Sequence, residues 1–384
     1  MEFTFSTANE IHFGSGISRS ISDILPADFS SCLFLTGSSL ERHRNILSDL
    51  ADNGRNLETA AVYSEPTVDS ICSLMESVSG FKPEVIIGVG GGSVLDAGKA
   101  VAALIANPGD PMDYLEVVGK GKPLPHPAIP YMAIPTTAGT GSEVTRNSVI
   151  GVPENGVKVS LRSASMLPRW AVIDPELTYQ LPRSIAAYTG MDALIQCLEA
   201  YLSRFANPLT DGIALEGLSR AARSIRKACS EKLDEDAKSD MCVASLCSGI
   251  ALANAKLGAV HGFAGPIGGM IDAPHGALCA SLLLPVLRMN AEIANRRDPN
   301  GVVSRKLSHI AKVLTGNASA NAHYAIAWID SLIKELPLKS LGDLGFQTTH
   351  IPKAVEMSAK SSSMKGNPVD LEPADLKEIL EECL

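Results

Sequence analysis

Residues 85–99 read Val-Ile-Ile-Gly-Val-Gly-Gly-Gly-Ser-Val-Leu-Asp-Ala-Gly-Lys. A buried-strand pattern runs straight into three glycines and out into a helix. Glycine lets a backbone approach a ligand closely and adopt conformations closed to other residues. The N-terminus of the following helix offers unpaired N–H groups and partial positive charge to an anion. Ser93 and Asp96 stand at the spacing of a capping box. The stretch therefore reads as a phosphate-binding turn, with Gly90, Gly91, Gly92, Ser93 and Asp96 as candidate contacts. The spacing is not GxGxxG, and the turn does not follow the first strand. Alone it indicates a phosphorylated ligand; the alternative is a strand-to-helix turn with no ligand.

Working outward, short β-rich runs alternate with helical stretches over the first half of the chain. Strands are predicted at Ser31–Thr36 and over 59–63, 84–88, 129–134 and 170–174. Alternation of this kind implies a parallel α/β sheet, whose ligands sit at the carboxyl ends of the strands. A second polar loop follows the strand at 129–134: Pro135-Thr136-Thr137-Ala-Gly-Thr140-Gly-Ser-Glu-Val-Thr145. Its hydroxyls suit phosphate, ribose or carboxamide, although a Ser/Thr-rich surface loop would look the same.

Beyond Pro182 the strand-like runs nearly vanish. Helices are predicted over 186–205, 211–227, 237–256, 278–296 and 305–314. The boundary falls near residue 180: an α/β dinucleotide-binding domain over 1–180 and an all-α domain for metal and substrate over 181–384. No internal repeat interrupts this division.

The chain has 384 residues, 45% hydrophobic and 20% charged, with a net charge of −9. It lacks the basic excess a nucleic-acid binder needs. The N-terminus does not read as a signal peptide. No apolar run reaches the roughly 18 residues of a membrane span, and the longest, near 277–286, reads as a buried helix. Eight scattered cysteines without CxxC spacing suggest free thiols in a reducing compartment, the cytoplasm.

In the helical half, Asp192 and Gln196 are four apart and share a helix face. Much later, His261 and His275 bracket a glycine-rich, nearly uncharged stretch that reads as a turn between helices. A carboxylate plus two imidazoles with an open position is a catalytic zinc pattern, and the same set suits Fe(II). The competing reading is two ordinary histidines, one at a helix end and one capping a turn.

Taken together, the motifs resemble the iron-containing (group III) alcohol dehydrogenases. The matching stretches are GGGSVLDAGKA at 90–100, IPTTAGTGSEVT at 134–145, VIDPELT at 172–178, GMDAL at 190–194, EAYLS at 199–203, His261, and PHG at 274–276. They follow the family's order and span essentially the whole chain. The resemblance implies a dehydroquinate synthase-like two-domain fold and reversible hydride transfer between NAD or NADP and a small alcohol, aldehyde or keto acid. It implies that Gly91, Gly92 and Ser93 hold the pyrophosphate. Thr136, Thr137, Thr140, Thr145 and Leu177 would line the cofactor, with Lys158 near its ribose. It also implies Fe(II) or Zn(II) on Asp192, His261 and His275, with His275 and His261 as catalytic groups. A homodimer or higher homo-oligomer is expected, with Phe3 to Phe5 and Ile11 to Phe13 as a β segment suited to pairing across it.

Three departures qualify the resemblance. Gln196 stands where the family usually has a fourth metal-binding histidine, and a neutral amide is the weaker ligand. Gly265 stands where many members have a histidine that contacts substrate or relays protons. Gly37, followed by Ser38, ends a strand that often finishes in a ribose-binding Asp; losing that carboxylate slightly favours NADP. These departures leave two alternatives, a metal-free carbonyl reductase using His275 or His261 as general acid and a non-catalytic nucleotide-binding relative. A sugar-phosphate lyase or cyclase is disfavoured, because Arg204, Lys256 and Arg288 are isolated rather than clustered.

Overall fold

The structure, a computed structural model, describes residues 2–384. The chain divides into two compact units. One comprises Thr7–Thr137 and Ser142–Tyr179; the other comprises Gln180–Leu384 with the N-terminal residues up to Ser6 and the short segment Ala138–Gly141.

In the first unit, β1 (Glu10–Phe13), β2 (Ser31–Thr36), β3 (Asn56–Ala61), β4 (Val85–Gly90), β5 (Tyr131–Pro135) and β8 (Trp170–Ile173) form one sheet. Its order is β1-β8-β5-β4-β2-β3, and every pairing is parallel. Helices α1 (Arg44–Asp52), α2 (Val68–Ser77) and α3 (Gly92–Ala106) make the crossovers. Both faces are covered, which is why the strands read as continuous apolar runs. Alternate residues of β2 serve opposite cores: Leu33 and Leu35 pack with α2 and α3, whereas Cys32 and Phe34 pack with α1.

The chain adds β3 on one side of β2, then returns to add β4 on the other. This reversal is a topological switch point, and a ligand crevice forms at the carboxyl ends of the two strands there. Gly37 follows β2 and Gly90 ends β4, so the predicted phosphate turn sits at the switch. An antiparallel hairpin, β6 (Asn147–Val152) with β7 (Val157–Arg162), also belongs to this unit and was not expected from the sequence.

The second unit is all helical: α4 (Arg183–Leu202), α5 (Pro208–Ala228), α6 (Glu235–Ala255), α7 (Ala259–Met270), α8 (His275–Arg297), α9 (Val302–Thr315), α10 (Ala322–Glu335), α11 (Ile351–Ala359) and α12 (Pro373–Glu382). Local signals set several starts. Asn207 caps α5 in a reciprocal box with Thr210, and Pro208 occupies the first turn, where its missing N–H costs nothing.

Three expectations are corrected. The stretch between the two histidines is not a turn: residues 259–270 form helix α7 despite Pro266. Most of it is buried against neighbouring helices, and that packing outweighs glycine's low helix propensity. The apolar run near 277–286 belongs to a 23-residue helix, long and apolar enough by composition to cross a bilayer, yet 72% of its apolar window is buried within the protein. Of the expected N-terminal β segment, only Ile11 to Phe13 is strand, and it pairs within the chain on β8.

Candidate active site

Helix α4 supplies the floor of the site. Asp192, Gln196 and Glu199 are spaced i, i+4, i+7 and so share a face, and all three are buried. His261 comes from the first turn of α7 and His275 from the first residue of α8. Gly276 permits this convergence. A Cβ there would lie 2.3 Å from the Tyr188 carbonyl oxygen, so any larger residue would push α8 off α4.

Asp192, His261, His275 and Cys279 each direct one ligand atom inward, and the four atoms lie within 4.8 Å of one another. His261 Nε2 is 3.2 Å from Asp192 Oδ1, and His275 Nε2 is 3.9 Å from it. Cys279 Sγ lies 3.7 Å from His261 Nε2 and 3.5 Å from His275 Nε2. Behind His261, Glu199 Oε2 stands 2.7 Å from Nδ1. Glu199 also accepts from the Val260 amide at 2.7 Å. A carboxylate on one imidazole nitrogen fixes the tautomer and turns the other nitrogen toward a metal. Gln196 Oε1 accepts from Ser248 Oγ at 2.7 Å.

The electrostatics follow from burial and proximity. Burial opposes the charged form of His261, but charge on Cys279 and bonds to Asp192, Cys279 and Glu199 hold it well above the ordinary histidine value. Charge on Cys279 pushes His275 up to about 9 against desolvation. Burial raises the Cys279 thiol, yet the two imidazoles bring it below the usual range. Two nearly inaccessible carboxylates, Asp192 and Glu199, need compensating positive charge. A divalent cation among these donors meets that need, so the residues present fit a metal. His275 is half-exposed, which leaves the cluster open on one side. Apart from the flanking residues and the backbone of α7 itself, no atom of the described residues lies within 4 Å of a Cβ built on Gly265.

In the first unit, Gly91 caps α3 and the helix begins at Gly92. Ser93 and Asp96 do not form the expected capping box, since no side chain caps this helix. Asp96 instead holds the second loop, accepting from Ser142 Oγ at 2.6 Å and from the Val149 amide at 2.9 Å. Buried Lys99 lies 3.0 Å from Asp96 Oδ1 and donates to Ser142 O and to Thr145 Oγ1. Thr145 is thus an internal strut. The Thr136 amide donates to Gly90 O at 2.9 Å, and a Cβ on Gly91 would stand 3.4 Å from the Thr137 side chain. Gly90 and Gly91 therefore adjoin Thr136 and Thr137 at the switch point.

Lys158 is on β7, ion-paired with Glu65. Leu177 packs, partly buried, on the α1 side of the sheet. Thr140 belongs to the segment that clusters with the helical unit. Two residues of the cluster escaped the sequence reading. Glu199 continues the Asp192–Gln196 face by one further turn. Cys279 follows His275 by four positions, a same-face helical spacing hidden by counting cysteines only for CxxC pairs. No disulfide joins any of the eight cysteines, all of which lie among the described residues.

These features define a two-unit protein with a glycine turn at a sheet switch point and a buried carboxylate–imidazole centre on helices. The chain belongs to the iron-containing alcohol dehydrogenase family: residues 8–175 match that family, and residues 186–384 match the C-terminal region of the Fe-containing alcohol dehydrogenase family. It is an oxidoreductase of the alcohol dehydrogenase type. It is 31% identical to alcohol dehydrogenase 4 of Saccharomyces cerevisiae strain YJM789 over 366 residues, 93% of this chain and 92% of the relative. Its fold superposes on the crystal structure of a 1,3-propanediol oxidoreductase with a TM-score of 0.92, at 31% identity and covering 100% of both chains. A sulfoacetaldehyde reductase from Bifidobacterium kashiwanohense, solved in complex with NAD+, matches with a TM-score of 0.87 at 28% identity, covering 100% of this chain and 99% of that one.

Proposed function

We propose that this chain is an NAD(P)(H)-dependent alcohol dehydrogenase or aldehyde reductase. It moves a hydride between the nicotinamide and the carbon of a small alcohol, aldehyde or keto acid, with Fe(II) or Zn(II) held by Asp192, His261 and His275. The observation that carries the reading is the convergence of one buried carboxylate and two imidazoles, one of them oriented by Glu199. The glycine turn at the sheet switch supports the nucleotide half. Amides at the start of α3 would take the pyrophosphate, with Thr136, Thr137, Thr140 and Leu177 lining the rest and Lys158 near the ribose. Gly37 leaves the end of β2 without a carboxylate, so a 2′-phosphate meets no repulsion there and NADP is accepted beside NAD.

A bound divalent cation supplies Lewis acidity, which makes an alcohol proton easier to lose and a carbonyl easier to reduce. The chain's own groups do the rest. Asp192 and His261 hold their donor atoms in a nearly dry pocket, where electrostatic interactions are strongest. Half-exposed His275 borders the open side; with no metal bound, its imidazole is placed to act as the general acid toward a substrate oxygen. The space at Gly265 admits substrate where many relatives carry an imidazole. The outer edge of β1 ends the sheet and offers a surface for a second copy in a homo-oligomer.

The test is the near-ultraviolet absorbance of reduced nicotinamide with a panel of small aldehydes, using both cofactors, after stripping with chelator and restoring Fe(II) or Zn(II). Consumption that returns with metal is expected. Tight nucleotide binding with no consumption under any combination would make the chain a non-catalytic relative.

A further inference from the structure

We propose that Cys279 is the fourth metal ligand, giving this chain an Asp–His–His–Cys centre in which a thiolate does the work that the residue at position 196 does in most relatives. The inference rests on the metal reading above and identifies the complete donor set.

Gln196 is a poor fourth ligand on two counts. Its amide oxygen is neutral, and it already accepts from Ser248 Oγ. Cys279, by contrast, stands within the cluster itself. It is buried and lies one turn after His275 on α8, so both side chains leave the same face of that helix. Tetrahedral coordination with bond lengths of about 2.0–2.3 Å sets ligand atoms roughly 3.3–3.6 Å apart. The sulfur sits 3.5 and 3.7 Å from the two imidazole nitrogens, and the Asp192 oxygen sits 3.2 and 3.9 Å from the same two atoms. Four of the six donor pairs thus stand close to the edge lengths of a coordination tetrahedron, and all six lie within 4.8 Å. Coordination needs the thiolate, so the thiol proton leaves to solvent through the open side when metal enters.

The donor set has a consequence for metal choice. Sulfur is a soft ligand, and S/N-rich tetrahedral sites select zinc. The site should therefore prefer Zn(II) to Fe(II), despite the family's name.

The test is spectroscopic and independent of turnover. The purified full chain is stripped and loaded with one equivalent of zinc, and the zinc K-edge fine structure is recorded. A single sulfur shell at about 2.3 Å beside nitrogen and oxygen at about 2.0–2.1 Å is expected. The cobalt(II)-loaded protein should show a near-ultraviolet sulfur-to-cobalt charge-transfer band that vanishes in Cys279→Ser. Zinc affinity of that variant should fall by at least roughly tenfold, the smaller end of what losing an outer-shell partner costs. Stoichiometric zinc with only nitrogen and oxygen neighbours would overturn the thiolate ligand while leaving the metal reading intact. Failure to retain any stoichiometric metal would overturn both. The wild-type zinc spectrum decides even if Cys279→Ser misfolds.

Discussion

Glu199 determines how His261 presents itself to the cluster. Its carboxylate takes Nδ1 at 2.7 Å and so leaves Nε2 for the centre. Replacing it by Ala removes the orienting partner without touching a donor atom. Metal affinity should fall roughly 10–100-fold, measured by competition with a chromophoric chelator, while nucleotide affinity measured by calorimetry stays unchanged. Equal metal affinity in Glu199→Ala would mean that packing alone sets the ring. Most of the side-chain cluster was legible in the chain, because Asp192, His261 and His275 stand in motifs the family shares. Glu199 and Cys279 were less so: each is an ordinary residue type until its helix is placed. The i+7 and i+4 spacings that reveal them carry meaning only once α4 and α8 are known to face each other.

At the scale of elements, the start of α3 is where the nucleotide reading is exposed to test. Gly91 keeps the helix N-terminus bare, and its neighbour across the loop, Thr137, is near enough that a small side chain fits with little shift. Gly91→Val would fill the space an approaching pyrophosphate needs. The dissociation constant for NAD(H) or NADP(H) should rise at least roughly tenfold, about 1.4 kcal/mol, with zinc content unchanged by elemental analysis. Unaltered nucleotide binding would move the phosphate site elsewhere. The strands around this turn were readable because two-sided burial makes them continuous apolar runs. Helix α7 was not, since Gly262, Gly265, Pro266, Gly268 and Gly269 carry every local mark of a turn, and only tertiary burial holds them helical. The Ser93–Asp96 spacing misled for a related reason. The carboxylate that could have capped α3 is taken by Ser142 and Val149.

Across the whole molecule, one buried acid links stability to pH. Glu143 is enclosed, and its Oε2 has no hydrogen-bond partner among the described residues. Burial pushes its carboxyl up to about 7, with its own backbone amide and Lys99 pulling the other way. A carboxyl raised on folding is bound to its proton more tightly in the native state. Its contribution is therefore fully present below about pH 4.5 and is lost as pH rises through about 7. The loss amounts to on the order of 3 kcal/mol. Glu143→Gln should flatten this part of the stability–pH curve in denaturant titrations at a series of pH values and stabilise the protein above pH 7. A wild-type curve that rises between pH 5 and 8, with no difference in the variant, would contradict the assignment.

A nicotinamide should give its hydride directly to a carbonyl carbon on this protein, with the help of the Asp192–His261–His275 centre. Isotope transfer follows that step. Reduced nicotinamide carrying deuterium at both C4 positions is incubated with the zinc-loaded chain and a reactive small aldehyde, and the alcohol product is examined by mass spectrometry and NMR. One deuterium on the carbinol carbon is expected, with transfer abolished by Asp192→Ala and by chelation. Product without deuterium, or transfer that continues undiminished in the chelated protein and in Asp192→Ala, would contradict it.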